Sequence, residues 1–390
     1  MKHTLYSSLK LLIICFAINV AADPFVPNND SMILTILDSN ISDQHSSKLN
    51  QLKTLQRKYP LDHNIAIDLA RLYITMAKTQ TDPRYYGLAH SIIKPWWNTK
   101  DNTDVMLIKA NILEFDHKFS DALVELNKIL SIKPHTQSLL MRANIYQVTG
   151  DYQKVTQDCT RLLYRASPLV SSTCQFSVSG FTSNSIKTNE QIADLLLLLQ
   201  NTMNASNDIQ LWVLGLAAES ASLNNEWIDA EKIKKQSLAI KDNDVYILSL
   251  YADLLLKQQR FQECIQLLKP HINQTTLLVR YLVAEKQLYG KLKATHVQND
   301  FDLRIREDDI KGDQRHLREY SFYQLYVQKN INLALKNALT NWHNQKELID
   351  SLILYRAASV LGRQDIINKL SSWKLENNVN IDFNKQALRI

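Results

Sequence analysis

The sequence predicts an all-α fold: an α-solenoid of stacked helix-turn-helix repeats, wound into a right-handed superhelix. Glycine occurs only 7 times and proline 8 times in 390 residues. That is too few for the turns of a β-rich fold or the phosphate loops of a dinucleotide-binding one. Hydrophobic residues make up 45% of the chain and charged residues 22%, the balance of a folded protein. The third observation is an internal repeat. With Asp104–Pro134 set above Gln137–Ser167, Ala110 falls on Ala143, Asn111 on Asn144, Ile112 on Ile145 and Phe119 on Tyr152, each 33 positions apart. Further on, Ala218 falls on Ala252, Trp227 on Phe261 and Ala230 on Cys264, each 34 apart. Periods of this length are the mark of helical arrays.

Taken in order, residues 1–22 read as a secretory signal. Lys2 and Lys10 precede the apolar run Leu11–Val20, and Val20-Ala21-Ala22 supplies small residues for cleavage. Ile13 and Ile14 before Cys15 are too bulky for a lipoprotein site. Removing this segment takes away two lysines and no acids, so the formal charge falls from +6 to +4. A charge so mild, without a basic patch interleaved with aromatics, argues against nucleic acid as a partner. Residues 23–60 are expected to form an N-terminal helical cap, and 61–290 the repeat array. A helix over Ile65–Ala77 is followed by an insertion at Lys78–Arg84, because that stretch exceeds a standard repeat turn. Degenerate helices are expected near Leu169–Ser179 and Asn189–Met203. Residues 291–316 read as a charged helix and loop connector. Helices over Leu317–Val327, Ile331–Trp342, Glu347–Leu361 and Gln364–Trp373 then form a degenerate C-terminal set of repeats across 317–376, leaving 377–390 as a tail.

Each unit shares one pattern: a helix with a small residue at its midpoint, a polar turn, an aromatic, and a second helix. The small residue lets the second helix cross closely, the aromatic plugs the gap, and Pro134 ends a helix at no cost in hydrogen bonds. In these features the sequence resembles the tetratricopeptide repeat, with Ala110, Ala122 and Pro134 at its small, small and proline positions. The match weakens at Val155 and Ser167. The stretches Asp82–Gly87, Pro95–Trp97, Lys311–Glu319 and Ala338–Leu354, with Cys159 and Cys174, are similar to a family of exported bacterial tetratricopeptide proteins. That resemblance implies a periplasmic setting and carries over no catalytic residue.

In such arrays the first helices line the concave face, where ligand peptides lie. The inward positions are Leu107, Asn111 and Glu114 in one unit and Leu140, Asn144 and Gln147 in the next. Asparagine offers both a donor and an acceptor to an extended peptide; equally, these two could simply solvate the groove. Leu107 and Leu140 stand where a carboxylate clamp needs lysine, so a C-terminal carboxylate is not selected. Cys159 and Cys174, on consecutive helices, are candidates for a disulfide that an exporting route permits; the alternative is three buried thiols with Cys264.

Tyr85, Tyr86, Trp96 and Trp97 are read as a plug for the N-terminal end of the array. His316, Arg318 and Glu319, with Asp308, Asp309 and Asp313, are read as an ion-pair network, and His117 and His135 as solvent-facing. Asn341-Trp342 with Gln345 and Glu347 reads as a capping and packing motif. The sequence holds no GxSxG, HExxH, P-loop or glycine-rich dinucleotide turn. The expectation is a non-catalytic periplasmic scaffold without metal or cofactor that binds a protein or peptide. The alternative is an accessory protein that associates with cell-wall glycan or holds a hydrolase.

Overall fold

The computed structural model describes residues 43–388 except 100 and 294, so the expected signal segment and the first part of the cap lie outside the described residues. The described chain is helical, and no strand occurs in it. Helix α1 (Asp43–Lys58) precedes nine pairs. They are α2 (His63–Gln80) with α3 (Arg84–Ile93), α4 (Thr103–Phe115) with α5 (Phe119–Ile132), α6 (Thr136–Thr149) with α7 (Tyr152–Leu162), and α8 (Pro168–Thr182) with α9 (Ser185–Asn201). Next come α10 (Asn207–Leu223) with α11 (Trp227–Ile240), α12 (Val245–Lys257) with α13 (Phe261–Leu268), and α14 (Thr275–Tyr289) with α15 (Thr295–Lys311). The last pairs are α16 (Leu317–Tyr323) with α17 (Ile331–Asn344), and α18 (Leu348–Val360) with α19 (Gln364–Glu376), before the single turn α20 (Phe383–Gln386). Each first helix packs on its own second helix, and from α8 to α18 each also packs on the first helix of the following pair. The result is an α-solenoid.

Local chemistry sets the boundaries. The carboxamide or carboxylate of Asn102 and Asp244 and the hydroxyl of Ser167 and Ser206 accept backbone N–H groups at the starts of α4, α12, α8 and α10, filling donors that have no intrahelical partner. The turn from first to second helix repeats one closure. The N–H of Lys118, Asp151, Glu226, Arg260 and Arg363 returns to the carbonyl five residues earlier, at 2.8–2.9 Å, the longer bond of a Schellman motif. Such a motif needs a left-handed residue. Gly150 and Gly362 supply it in two of these turns, and His117, Asn225 and Gln259 in the others. A non-glycine residue in that conformation costs roughly 1–2 kcal/mol, which explains how a glycine-poor chain can still turn so often. At Lys78–Arg84 the expectation of an insertion is corrected. Helix α2 runs on to Gln80 and only three residues turn the chain, so the surplus length becomes extra helix.

The small positions do what the pattern requires. Ala110, Ala122, Ala218, Ala230, Ala252 and Cys264 are all 0% exposed, each lying at a helix crossing where a larger side chain would push two backbones apart. Tyr85, Tyr86, Trp96 and Trp97 pack against the N-terminal core of α2, α3 and α4, with Tyr86 stacked on Phe115 at 3.9 Å between ring centres. Cys159 on α7 and Cys174 on α8 stand at disulfide distance, their Cα atoms 5.4 Å apart, while Cys264 is buried and free.

The array also folds back on itself. The carbonyls of Val148 and Thr149, at the end of α6, accept the backbone N–H (2.6 Å) and the ammonium (3.4 Å) of Lys346. At the end of α8, Phe181 O accepts from Asn380 N (2.9 Å) and Ser183 O from the Asn380 amide (3.1 Å). Leu223 O, closing α10, accepts from the Gln386 amide at 2.6 Å. The residues expected as a tail thus lie across the turns of earlier repeats, with Val379, Ile381, Phe383 and Ala387 buried. A side chain at Gly150, whose φ is +81°, would sit 3.0 Å from both Lys346 Cβ and the Trp373 indole nitrogen. The close approach and the left-handed turn both require glycine there.

Two outcomes follow from this packing. Lys234 on α11 is 0% exposed and bonds only to Ser222 Oγ (2.5 Å) and Ala218 O (3.4 Å); burial pushes its amine down to about 8. Because this value lies below the unfolded one, the penalty is complete at pH below 8 and fades as pH rises towards the unfolded pKa. Lys234→Met should therefore raise stability by on the order of 1–3 kcal/mol at pH 7, with the gain shrinking at alkaline pH in urea titrations. Ser222 would keep its bond to Ala218 O. For the cysteines, alkylation of the unreduced, unfolded protein should label Cys264 alone. Reductant should cost about 3 kcal/mol, the value for a loop of 15 residues; three labelled cysteines would exclude the bridge.

Candidate inner-face binding site

Because first helices stack on first helices, side chains one turn apart on α2, α4, α6, α8 and α10 share one hollow. Its cavity of about 300 Å³ is lined by Lys78, Glu114, Leu140, Asn144, Gln147 and Trp212, among others. A second cavity of about 320 Å³ shares Glu114 and Asn144 with it and reaches Thr276 on α14, Arg318 and Glu319 on α16, and Gln345 and Glu347 before α18. The inner face is thus walled by both ends of the array.

Of the six inward positions, the structure brings four into the hollow. Glu114, Leu140 and Gln147 are half-buried and Asn144 is exposed. The Asn144 amide donates to Glu114 Oε1 at 2.8 Å. Burial raises the Glu114 carboxyl above its ordinary range, and the bond from Asn144 opposes that rise. Leu107 and Asn111 lie apart from the hollow. Leu107 is a packing residue at 6% exposure. Asn111 is equally buried, donating to Leu107 O (3.0 Å) and accepting from Lys78 Nζ (3.5 Å). Its amide is spent inside the fold. Sequence reasoning missed Lys78 and Trp212, because inward positions were assigned only in the two repeats spanning residues 104–167, and α2 and α10 lie outside that pair.

The far wall is built by the two C-terminal motifs. Arg318 donates to Asp350 Oδ1 (2.6 Å) and Oδ2 (2.9 Å), to Gln345 Oε1 (3.2 Å) and to Glu347. Asp350, whose side chain is 0% exposed, also accepts from Asn341 (2.7 Å) and forms a capping box with Glu347 at the start of α18. Burial works against the Arg318 charge, but Asp350 and Glu347 hold it protonated. Trp342 donates to Ser351 Oγ at 3.0 Å, so the Asn341–Glu347 segment does cap and pack. Nearby, Asp308 accepts from His316 (2.8 Å) and Tyr320 (2.5 Å), and Arg315 pairs with Asp313. Within the expected network, then, His316 pairs with Asp308, whereas Arg318 pairs with Asp350 and Glu347, Asp313 with Arg315, and Glu319 accepts from Thr276.

The reading of His117 and His135 as solvent-facing is corrected. His117 is half-buried in the α4–α5 turn, and the Gln345 amide meets its Nδ1 at 2.7 Å. Burial, with Arg318 and Arg315 beside it, lowers the ring to about 4, so it is neutral and accepts the bond. His135 is the N-cap of α6, its Nδ1 accepting from Ser138 N. Both histidines are thus used up by backbone or array contacts. Among the described residues no group of three or more His, Cys, Asp or Glu is placed to hold a metal ion. No helix of the described residues is long and apolar enough to cross a membrane.

The hub and a surface pair should respond differently to truncation. Arg318→Met, which strands Asp350 in the interior, should cost about 3–5 kcal/mol. Arg363→Met, which breaks an exposed pair with Asp365, should leave the urea midpoint nearly unchanged, since water screens such pairs. Equal shifts in the urea midpoint would remove Arg318 from its place as a hub.

No family model matches the sequence, and no curated protein does. Among solved structures, the chain is similar to one in the crystal structure of the APC/C hetero-tetramer Cut9-Hcn1, with 11% identity and a TM-score of 0.45, over 85% of this chain and 69% of that chain.

Proposed function

We propose that this chain is a non-catalytic scaffold, exported to a periplasmic compartment, which receives an extended segment of a protein partner in the hollow of its inner face. One observation carries the reading. Five successive first helices line the hollow: α4, α6 and α8 bring a carboxylate, three amides and a hydroxyl, α2 brings Lys78, and α10 brings a half-buried tryptophan, Trp212. An extended backbone exposes a donor and an acceptor at each residue, and Asn144, Gln147 and Gln137 offer both. Tryptophan supplies the contact area that commonly dominates such interfaces. The walls belong to a closed array, so little ordering is needed on binding. The signal-like segment at residues 1–22 and the cysteine pair at disulfide distance support the exported setting.

The same mixture of indole and amides also suits a glycan, and one experiment separates the two. Peptides selected from a random library against the whole protein are titrated into wild type and into the Asn144→Ala, Trp212→Ala double variant. A loss of tenfold or more in the variant, corresponding to about 1.4 kcal/mol or more, is the expected result, read at a temperature where the variant keeps its helical circular dichroism, because Trp212 also packs against the core. Selection of no peptide, together with co-sedimentation of the wild type with purified peptidoglycan, would replace the peptide by a glycan.

A further inference from the structure

A third cavity lies where α10 and α12 face α16, α18 and the folded-back C-terminal segment. Its volume is about 120 Å³. Its walls are apolar, with Leu250, Leu254, Phe322, Leu352, Ile353 and Leu388 among them. Leu250 and Leu388 are half-buried, so the space reaches solvent. Three charged side chains touch it: Glu219, Asp253 and Lys257. Asp253 is committed to Arg280, with two bonds of 2.8 Å, and Glu219 accepts from Tyr246 at 2.9 Å. Lys257 differs from both. Its ammonium lies 4.8 Å from the centre of the Trp227 ring and donates to the Gln386 side-chain oxygen, and among the described residues it has no carboxylate within ion-pair distance. Gln386 is itself fixed by its bond to Leu223 O, so the amine is held at the cavity in a set position.

We infer that this cavity binds a free aliphatic monocarboxylic acid, its chain among the leucines and its carboxylate on Lys257. Size agrees. An apolar cavity of about 150 Å³ takes up benzene, with six carbons, so one of about 120 Å³ takes about five, the alkyl tail of hexanoate. Charge also agrees: an ammonium with two unused donors, flanked by apolar surface, is stabilised by an anion and not by a neutral or cationic head group. Burial already pushes the Lys257 amine down to about 8, the mark of a cation that lacks a counter-charge. The inference stands apart from the peptide hollow, since the two cavities share no lining residue.

Calorimetric titration of the whole protein with hexanoate, butanoate, 1-hexanol and hexylammonium tests it. Hexanoate should bind about tenfold more tightly than butanoate, as two buried methylenes require, and hexylammonium should not bind. Lys257→Met should weaken hexanoate about tenfold or more while leaving 1-hexanol unchanged, and Lys257→Arg should retain hexanoate. A Leu250→Trp variant, which fills the cavity, should lose every ligand while keeping its helical circular dichroism. Proton uptake should accompany hexanoate binding at pH 8 and vanish at pH 6, where the amine is already charged. No heat with hexanoate would overturn the inference, as would equal affinity in wild type and Lys257→Met.

Discussion

A helix leaves the carbonyls of its last turn without partners, and a stack of parallel helices leaves a whole row of them. In this protein the C-terminal part of the chain supplies the missing donors. Lys346 serves α6, Asn380 serves α8 and Gln386 serves α10. Each donor meets the negative end of a helix dipole, where a lysine or an amide N–H is favoured. This row of bonds turns an open ribbon, whose repeats would touch only their neighbours, into an array whose middle repeats and C-terminal end hold each other.

The inner face follows from that closure. With α16 and α18 drawn against the earlier repeats, their charged side chains point into the space lined by α4 and α6 and would be stranded in an apolar setting without partners. Arg318, Asp350, Glu347, Asn341 and Gln345 solve this by bonding to one another, and Gln345 extends the network to His117 across 228 residues of sequence. The hub leaves two spaces with different chemistry. One side keeps amides, Glu114 and Trp212; the other keeps leucines and a lysine that, among the described residues, no carboxylate pairs with. Their difference in polarity comes from where the C-terminal segment lies, since it covers the α10 and α12 end and stops short of α4.

Much of the fold was legible because its stabilising contacts are local. A small residue at a crossing, an aromatic opening the second helix and a polar cap before the first are all features within 34 residues, and they recur. The degenerate unit α8–α9 and the C-terminal pairs were placed by helical periodicity alone. The candidate site was legible in part. Asn111 and Asn144 occupy equal positions in the repeat and look alike in sequence. Lys78, from the preceding pair, reaches Asn111 and helps bury it, while Asn144, though its amide donates to Glu114, stays exposed. Repeat position fixes the direction of a side chain; the neighbouring repeat decides how much of it stays exposed.

By itself, then, the sequence determined the helices, their pairing and the small contacts that let them cross, because each depends on residues close together in the chain. The tertiary structure alone decided that the array closes, that Arg318 serves as a hub and that Lys257 faces an apolar cavity. Contacts such as Tyr152 with Lys346, 194 positions apart, recur at no period, and the loop between their partners carries no trace of where it will return. Non-glycine residues in left-handed turns belong to the same class. Asparagine, at Asn225, commonly takes that conformation, but Gln259 carries no local signal for it, and the helices on either side impose it.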